Sequence, residues 1–250
     1  MIRFDPALDQ VAHRPWPLPE RPWVMTQSWH DLLFAHWRVD ERQLRPHVPA
    51  AFDLDRFDGS AWVSVVPFTM SHVAPRGVPS LPWLSAFPEL NVRTYVRPRD
   101  GKRGVFFFSL DASRLAAVIA ARAMFRLPYF PASMRVERRG DAVHYASRRH
   151  FGTASFVGSY QPTGAAFTPA HGSLEFFLTE RYCLYSENDD RLYRARIHHQ
   201  PWPLQKAELL SFDSTMIEAH GLPTPKADPL LHYCEQLSVE VWSLDGLDNG

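Results

Sequence analysis

Short apolar or alternating runs, separated by turn residues, fill most of the sequence from Trp29 to Trp242. This spacing is typical of antiparallel β structure, because a short strand followed by a tight turn brings the chain back beside itself. The strand candidates are residues 29–39, 60–73, 89–97, 104–110, 131–138, 142–149, 153–160, 182–186, 191–198 and 231–242. We therefore predict a mainly β chain of the α+β class, in which an antiparallel sheet closes, fully or in part, into a barrel.

A few helices are predicted to pack on this sheet. The clearest is residues 113–125, which are rich in alanine and are followed by a proline. Asp40 and Ser173 are suitable N-cap residues for two shorter helices, and Gly221 is the expected left-handed end of another. The strand at 104–110 is apolar on both faces, so we expect it to lie in the middle of the sheet, covered on both sides.

The chain divides into an arm and one domain. Residues 1–25 contain five prolines, which oppose helix and central strand, so we expect an extended arm. No run rich in serine and glycine divides residues 26–250, which we expect to form a single domain. A chain of 250 residues buries enough surface to fold without a metal or a disulfide. The two cysteines, Cys183 and Cys234, fit a reducing compartment, and the sequence leaves open a single bridge between them.

Charge and hydropathy restrict the class of partner. The 27 basic and 27 acidic side chains balance, so no net field attracts nucleic acid or an anionic membrane surface. No apolar run approaches the length of a membrane span, and no basic segment leads into an apolar stretch at the N-terminus. We therefore expect a cytoplasmic protein with no role on nucleic acid or at a membrane. A homo-oligomer is compatible with the sequence.

The alternating strand at 89–97 carries the strongest indication of a site. Glu89, Asn91 and Arg93 fall on one face, and the residues between them are apolar. If the polar face points inward, a carboxylate and a guanidinium lie in a low-dielectric cavity, where each is costly unless it is paired or binds a ligand. If it points outward, Glu89 and Arg93 form a surface pair worth less than about 1 kcal/mol. The alternation alone does not decide between the two orientations.

Motifs for metals and nucleotide cofactors are absent from the sequence. Its twelve histidines show no zinc-protease spacing, and no CxxC pair, G-x-S-x-G elbow or glycine-rich nucleotide loop occurs. We therefore predict no cofactor and no metal site. Ligation by the distant His144, His150 or His171 is the open alternative.

One set of motifs is spread over most of the chain after the arm. It comprises residues 44–63, 89–96, 121–122 with 127–129, 199–204 and 231–233. Together these motifs resemble the DUF2071 (YqjF-like) family, which is itself similar to acetoacetate decarboxylase. The fold of that enzyme is a cone-shaped antiparallel β barrel around a central cavity. The resemblance therefore implies an acetoacetate-decarboxylase-like barrel for residues 26–250 and a cavity that binds a small molecule.

The resemblance to the decarboxylases also implies roles for individual residues. Arg38 falls at their substrate-contacting arginine, and Glu89 falls at their active-site glutamate. Arg122 falls at the arginine of their glycine-arginine-glutamate helix. Tyr129 stands where the decarboxylases have the lysine that forms a Schiff base with the keto acid. Because a phenol cannot form an iminium, this correspondence implies that the decarboxylase mechanism is absent.

These residues define a predicted site for a small carboxylate or keto compound, whose charge partner is one of three arginines. The binding candidates are Arg38, Asn91, Arg93, Arg122 and Trp202. Any turnover is expected to be lyase or isomerase chemistry without a cofactor, with Glu89 and Tyr129 transferring protons. Those two side chains must then come within one ligand's width of each other around a shared cavity.

Other interpretations of the same residues stay open. Arg122 is either a buried ligand or clamp, or the solvated edge of its helix. Tyr129 and Trp202 equally fit a packed core, where aromatic residues are common. Loss of the lysine also fits a non-catalytic ligand-binding or sensor protein. A third interpretation is an interaction scaffold whose barrel is filled by side chains.

Overall fold

The computed structural model describes residues 5–78, 86–114 and 125–247. Within these ranges, thirteen strands form one continuous sheet. The strands are β1 (Met25–Val39), β2 (Phe52–Leu54), β3 (Ala61–Pro75), β4 (Phe87–Pro98), β5 (Gly104–Ala112), β6 (Tyr129–Arg139), β7 (Ala142–Arg149), β8 (Ser155–Phe167), β9 (Cys183–Asn188), β10 (Arg191–His199), β11 (Leu204–Ser214), β12 (Leu230–Val241) and β13 (Asp245–Leu247). Two short α-helices, α1 (Glu41–Leu44) and α2 (Leu174–Thr179), lie wholly within the same ranges, as do 3-10 turns at Pro6–Asp9, Arg45–His47 and Glu218–His220.

The sheet closes on itself twice. Pairing of β4 with β5 closes a large ring of nine strands, in the order β5, β6, β7, β8, β11, β12, β1, β3 and β4. Pairing of β10 with β12 closes a small ring of seven strands, in which β9 and β10 connect β5 back to β12. The strands β12, β1, β3, β4 and β5 belong to both rings and form the shared wall between them. The predicted closure of a mainly β sheet is thus confirmed, as two barrel-like rings.

The shared wall is buried on both faces, because each face lines a different ring. On β4, Leu90 and Val92 pack with the side chains of β7 and β8, whereas Tyr95 packs in the core of the small ring. On β5, Phe106 packs in the core of the large ring and Phe107 packs in the core of the small ring. Alternation sends successive side chains to opposite interiors, and water is excluded from both. This explains why the sequence at 104–110 is apolar on both faces and confirms the central position predicted for it.

Every predicted strand is present, with most of them longer than predicted. The strands β2, β11 and β13 are absent from the sequence-based prediction. For β11 the physical reason is a register shift against β8 between Leu209 and Ser211, which breaks the alternation of apolar and polar residues. The strands β2 and β13 contain three residues each, too few to show a period. The predicted helix at 113–125 lies mainly outside the described residues.

Local capping agrees with the sequence. The Asp40 carboxylate accepts a hydrogen bond from the backbone N of Arg42 at 2.8 Å and begins α1. The Ser173 hydroxyl caps α2 by accepting from the backbone N of Phe176 at 3.2 Å. Gly221, with φ of 73°, ends a 3-10 turn rather than an α-helix.

The described part of the arm contains the 3-10 turn Pro6–Asp9 and lies against β10 and β12. Arg14 Nη1 donates to the Ile197 carbonyl at 3.0 Å, and the Ser238 hydroxyl donates to the Asp5 carboxylate at 2.6 Å.

Cys183 and Cys234 are both buried and free, so no bridge joins them. Within the described ranges, no helix combines the length and the apolar character that crossing a membrane requires.

Candidate functional site

The small ring encloses a cavity of about 170 Å³, here called the small-ring cavity. Its walls come from the shared wall, from β9 and β10, and from the residues that flank α2, β6 and β11. Most of the lining is aliphatic or aromatic, and the polar side chains are few. The polar lining residues are Gln27, Glu89, Asn91, Arg93, Tyr129, Thr179 and Arg181.

The polar face of β4 points into this cavity. Glu89, Asn91 and Arg93 all line it, while Leu90 and Val92 face the large ring. The outward orientation left open by the sequence is therefore wrong. Because β4 belongs to the shared wall, these three polar side chains point into the interior of the small ring.

Glu89 and Tyr129 form a direct pair in the cavity wall. The Tyr129 hydroxyl donates to Glu89 Oε2 at 2.6 Å, so the two side chains meet the distance that proton transfer requires. Glu89 is only 3% exposed, and burial raises its pKa to about 8, an effect that the hydrogen bond from Tyr129 partly offsets and the charge of Asp111 increases. Burial and the neighbouring Glu89 also raise the pKa of Tyr129 well above its ordinary value. Near neutral pH both groups therefore hold their protons, and Oε1 of Glu89 is the oxygen that can present one to a ligand.

Arg93 is a buried cation in the same cavity. Its side chain is 8% exposed, and no carboxylate within the described ranges forms an ion pair with it. Its Nε has no hydrogen-bond partner there, and its Cζ lies 5.4 Å from the centre of the Phe34 ring. Burial lowers the pKa of Arg93, and the nearby Tyr95 hydroxyl counteracts this. An arginine remains charged in proteins, so its positive charge is left uncompensated.

A chain of buried hydroxyl and imidazole groups lies behind Arg93. The Tyr95 hydroxyl is 2.7 Å from Ser64 Oγ, which is 2.6 Å from His36 Nδ1. Burial lowers the pKa of His36 well below its ordinary value, and the charge of Arg93 and the neighbouring His232 lower it further. The neutral imidazole is therefore hydrogen-bonded to the Ser64 hydroxyl through Nδ1. These contacts fix the Tyr95 hydroxyl beside Arg93.

Arg181 is a second buried guanidinium in the cavity, and the sequence analysis did not find it. Its Nη1 donates to Asp55 Oδ2 at 2.6 Å, and its Nε donates to the Phe177 carbonyl at 2.6 Å. Its Cζ lies 5.0 Å from the centre of the Tyr95 ring, so Tyr95 contacts both arginines. Among the described residues, Nη2 of Arg181 has no partner. Asp55 is 126 positions away, so no local sequence signal indicates the pair.

The remaining predicted binding residues fall in different places. Asn91 lines the cavity, and its Oδ1 has no partner within the part that the structure describes. Trp202 also lines it, packs edge-on against Phe34 at 4.9 Å and is held by its backbone N, which donates to Glu180 at 3.0 Å. Trp202 is thus a packed wall residue. Arg122 lies outside the described residues.

Arg38 lies away from the cavity. It lies at the exposed end of β1, with its Cζ 5.1 Å from the centre of the Trp62 ring, and it is not part of the cavity lining. Phe34 and His36 precede it on the same face of β1, but the strand continues past the end of the ring and carries position 38 into solvent. The structure therefore does not bring Arg38 to the cavity with the other predicted residues.

In the part of the chain that the structure describes, neither a lysine nor a cluster of metal-ligating side chains lies at the cavity. Lys206 is exposed on β11, and Lys102 and Lys226 also lie away from the lining. Within the described ranges, no group of three His, Cys, Asp or Glu side chains is arranged to hold a metal ion. The ionisable groups among the described lining residues are therefore one carboxyl, one phenol and two guanidinium groups.

Comparison with known proteins agrees with this fold. The family model of DUF2071, described as an uncharacterized conserved protein, matches residues 26–238. The uncharacterized protein YqjF of Bacillus subtilis (strain 168) is 46% identical over 228 residues, which are 91% of this chain and 94% of YqjF.

The enduracididine biosynthesis enzyme MppR is similar in structure, with a TM-score of 0.65 and 12% identity over 92% of this chain and 91% of MppR. The acetoacetate decarboxylase of Legionella pneumophila subsp. pneumophila str. Philadelphia 1 has a TM-score of 0.64 and 12% identity over 99% of this chain and 98% of its own. At such identities the structural likeness establishes the fold, which is acetoacetate-decarboxylase-like as expected.

Proposed function

This chain belongs to the DUF2071 family, and we propose that its small-ring cavity binds a small carboxylate or keto compound, with Arg93 as the partner of the negative charge. The observation that carries the proposal is the charge balance of the cavity. Asp55 neutralises Arg181, Glu89 is protonated below about pH 8, and Arg93 has no carboxylate partner in the described ranges. One positive charge thus remains, and a ligand with one negative charge neutralises it.

A structural neighbour supports the class of ligand. MppR has been solved in complex with pyruvate, a keto acid with a single carboxylate. The two proteins share a fold at 12% identity, so the ligand itself does not transfer. What transfers is the expectation that a ring of this architecture accommodates an anion of that kind.

The Glu89 and Tyr129 pair supports a catalytic role in lyase or isomerase chemistry without a cofactor. For an isomerase, protonated Glu89 gives its proton to a carbonyl oxygen of the ligand while a C–H bond at the adjacent carbon breaks and that proton passes to water, which leaves the enol. The enol then returns the oxygen-bound proton to Glu89 as a carbon of the enol takes up a proton from water. Tyr129, already donating to Oε2, stabilises the carboxylate left behind. Asn91 lies between Glu89 and Arg93 on β4, where its amide can orient the ligand.

A non-catalytic ligand-binding or sensor protein is the second candidate. The observation that favours it is the lack of a lysine among the lining residues, with Tyr129 at the position that the resemblance assigns to the Schiff-base nucleophile. A scaffold filled by side chains is hard to reconcile with an interior space of about 170 Å³.

Ligand-induced stabilisation tests the binding proposal. Thermal unfolding is followed for the wild type, Arg93→Met and the exposed Arg135→Met control against short carboxylates, keto acids and phenols. A ligand at one hundred times its Kd adds about 2.7 kcal/mol of stability, and we expect carboxylate hits in the wild type and the control but not in Arg93→Met. Hits that persist in Arg93→Met, or no hits at all in the wild type, refute the proposal.

Turnover distinguishes the two candidate functions. Each hit is incubated with the wild type and with Glu89→Gln, and the products are followed by NMR. In an enzyme, Glu89→Gln keeps the affinity and loses the turnover, because the amide has no proton to transfer. A wild type that binds the hit and leaves it unchanged is instead a binding or sensor protein.

A further inference from the structure

We propose that the ligand of the small-ring cavity is a hydrophobic monocarboxylate, longer than a three-carbon keto acid, bound with its carboxylate at the deep end and its apolar body toward the mouth. This inference rests on the proposed function and narrows its ligand class. Three observations carry it: the depth at which the charged groups lie, their separation along β4, and the apolar character of the walls between them.

The exposure of the lining residues identifies the mouth. Met25, Gln27 and Val73 are half-buried and lie where β1 and β3 reach one end of the small ring. At the opposite end, Arg93 and Arg181 are both buried. A ligand that enters at the end near Met25, Gln27 and Val73 therefore passes along the cavity and reaches the cations with its carboxylate first.

The two functional groups of β4 lie at different depths. Arg93 pairs across the sheet with Ser64, whereas Glu89 pairs with Phe68, nearer the mouth. Glu89 and Arg93 are four positions apart, so about 13 Å of extended strand separates their Cα atoms. No ion pair joins them within the described ranges, and Asn91 occupies the inward position between. Because the carboxyl of Glu89 and the guanidinium of Arg93 form no ion pair in the described ranges, a ligand that contacts both has to extend over the space between them, which favours a body longer than that of a three-carbon acid.

The walls along that interval are apolar. Phe68 on β3, Phe107 and Leu110 on β5, and Ile197 on β10 face the cavity, and the strands opposite β4 add no polar group. An apolar cavity of about 150 Å³ accommodates a benzene ring, and the small-ring cavity has about 170 Å³. A ligand that fills it therefore has a body of about the size of an aromatic ring or a medium alkyl chain.

The test is a calorimetric series of monocarboxylates with the wild-type protein. Propionate, pyruvate, hexanoate and 3-phenylpropionate are titrated at pH 7, with 1-hexanol as the uncharged match for hexanoate. Each buried methylene tightens binding about fourfold, so we expect hexanoate and 3-phenylpropionate to bind at least tenfold more tightly than propionate or pyruvate. Hexanol is expected to bind at least tenfold more weakly than hexanoate, because it lacks the charge that Arg93 requires.

A filled cavity supplies the matched variant. Ala195 lines the cavity from β10, and Ala195→Leu places extra methyl groups in the space that the apolar body would occupy. We expect this variant to lose the gain from chain length while its affinity for propionate changes less than threefold. Because the series on the wild type is decisive alone, poor folding of the variant leaves the test intact.

The outcomes separate the two proposals. Equal affinity for propionate and hexanoate, both lost in Arg93→Met, overturns this inference and leaves the proposed function standing. Equal affinity for hexanol and hexanoate overturns the role of the carboxylate. No binding by any member of the series overturns both proposals.

Discussion

Burial of Glu89 makes the stability of the protein depend on pH in an unusual direction. An ordinary surface carboxylate has the same pKa in the folded and unfolded chains, but the pKa of Glu89 is raised from 4.5 to about 8 in the folded state. Between these values the unfolded chain has lost this proton and the folded chain retains it. Folding is therefore coupled to proton uptake, and the free energy of unfolding falls as the pH rises.

The size of this effect follows from the two pKa values. Each pH unit inside the interval costs 1.36 kcal/mol, so the contribution of Glu89 falls by about 3 kcal/mol between pH 5 and pH 7.5. The loss levels off once the pH passes about 8, where the folded state also ionises. Glu89→Gln has a neutral side chain of similar shape and does not titrate. The difference in stability between wild type and variant therefore isolates this one group.

Urea unfolding of both proteins at pH 5, 6, 7 and 7.5 measures that difference. Other titrating groups act equally in the two proteins and cancel, provided that the m-values agree. We expect the wild type to lose about 3 kcal/mol relative to Glu89→Gln across this range. In Tyr129→Phe the hydrogen bond that lowers the pKa of Glu89 is absent, so the loss continues to higher pH. Parallel pH profiles for the wild type and Glu89→Gln would refute the claim that Glu89 is protonated at neutral pH.

Three further predictions concern the surroundings of the site. Tyr95→Phe removes the hydroxyl beside Arg93 and is expected to weaken carboxylate binding about tenfold, the worth of one hydrogen bond to a charged group, as measured by calorimetry. Asp55→Asn leaves Arg181 buried without its counter-charge and is expected to lower the free energy of unfolding in urea by about 3–5 kcal/mol. The double variant Asp55→Asn with Arg181→Met is expected to lose less stability, and equal losses in the two variants would contradict a buried ion pair. Burial raises the pKa of Cys183 to about 11, so its thiol is expected to resist a disulfide reagent at pH 8 until the protein unfolds, and rapid labelling of the native protein would contradict its burial.

Part of this site can be predicted from the sequence, because the alternation of side chains along a strand depends only on neighbouring positions. The spacing of Glu89, Asn91 and Arg93 places them on one face whatever the rest of the chain does, and the structure brings all three into the cavity. The proximity of Tyr129 to Glu89, by contrast, is expected only from the resemblance to a known family. The two residues are 40 positions apart, so no local pattern indicates that they meet.

Other parts of the site depend on how the rings close, which no local period encodes. Arg38 lies on the same face of β1 as Phe34, because the two are an even number of positions apart. The alternation does not indicate where a strand extends beyond the ring, and the side chain of Arg38 is exposed to solvent. Arg181 follows α2 in a segment without periodicity, and its partner Asp55 lies beyond β2. The two meet only because β9 and β10 close the small ring beside β5.

The protonation of Glu89 also links pH to ligand affinity. If a bound carboxylate lies about 10 Å from Glu89, an ionised Glu89 repels it by about 1.7 kcal/mol at an effective dielectric constant near 20, which weakens binding roughly twentyfold. Because the pKa of Glu89 is about 8, we expect the affinity for a carboxylate to be constant from pH 6 to 7 and to fall through pH 8 and 9. Calorimetry on Glu89→Gln should give a flat profile over the same range, since no charge develops there. An affinity that rises with pH, or an equal decline in the variant, would mean that the anion is bound away from Glu89 and that the charge balance of the cavity does not govern its ligand.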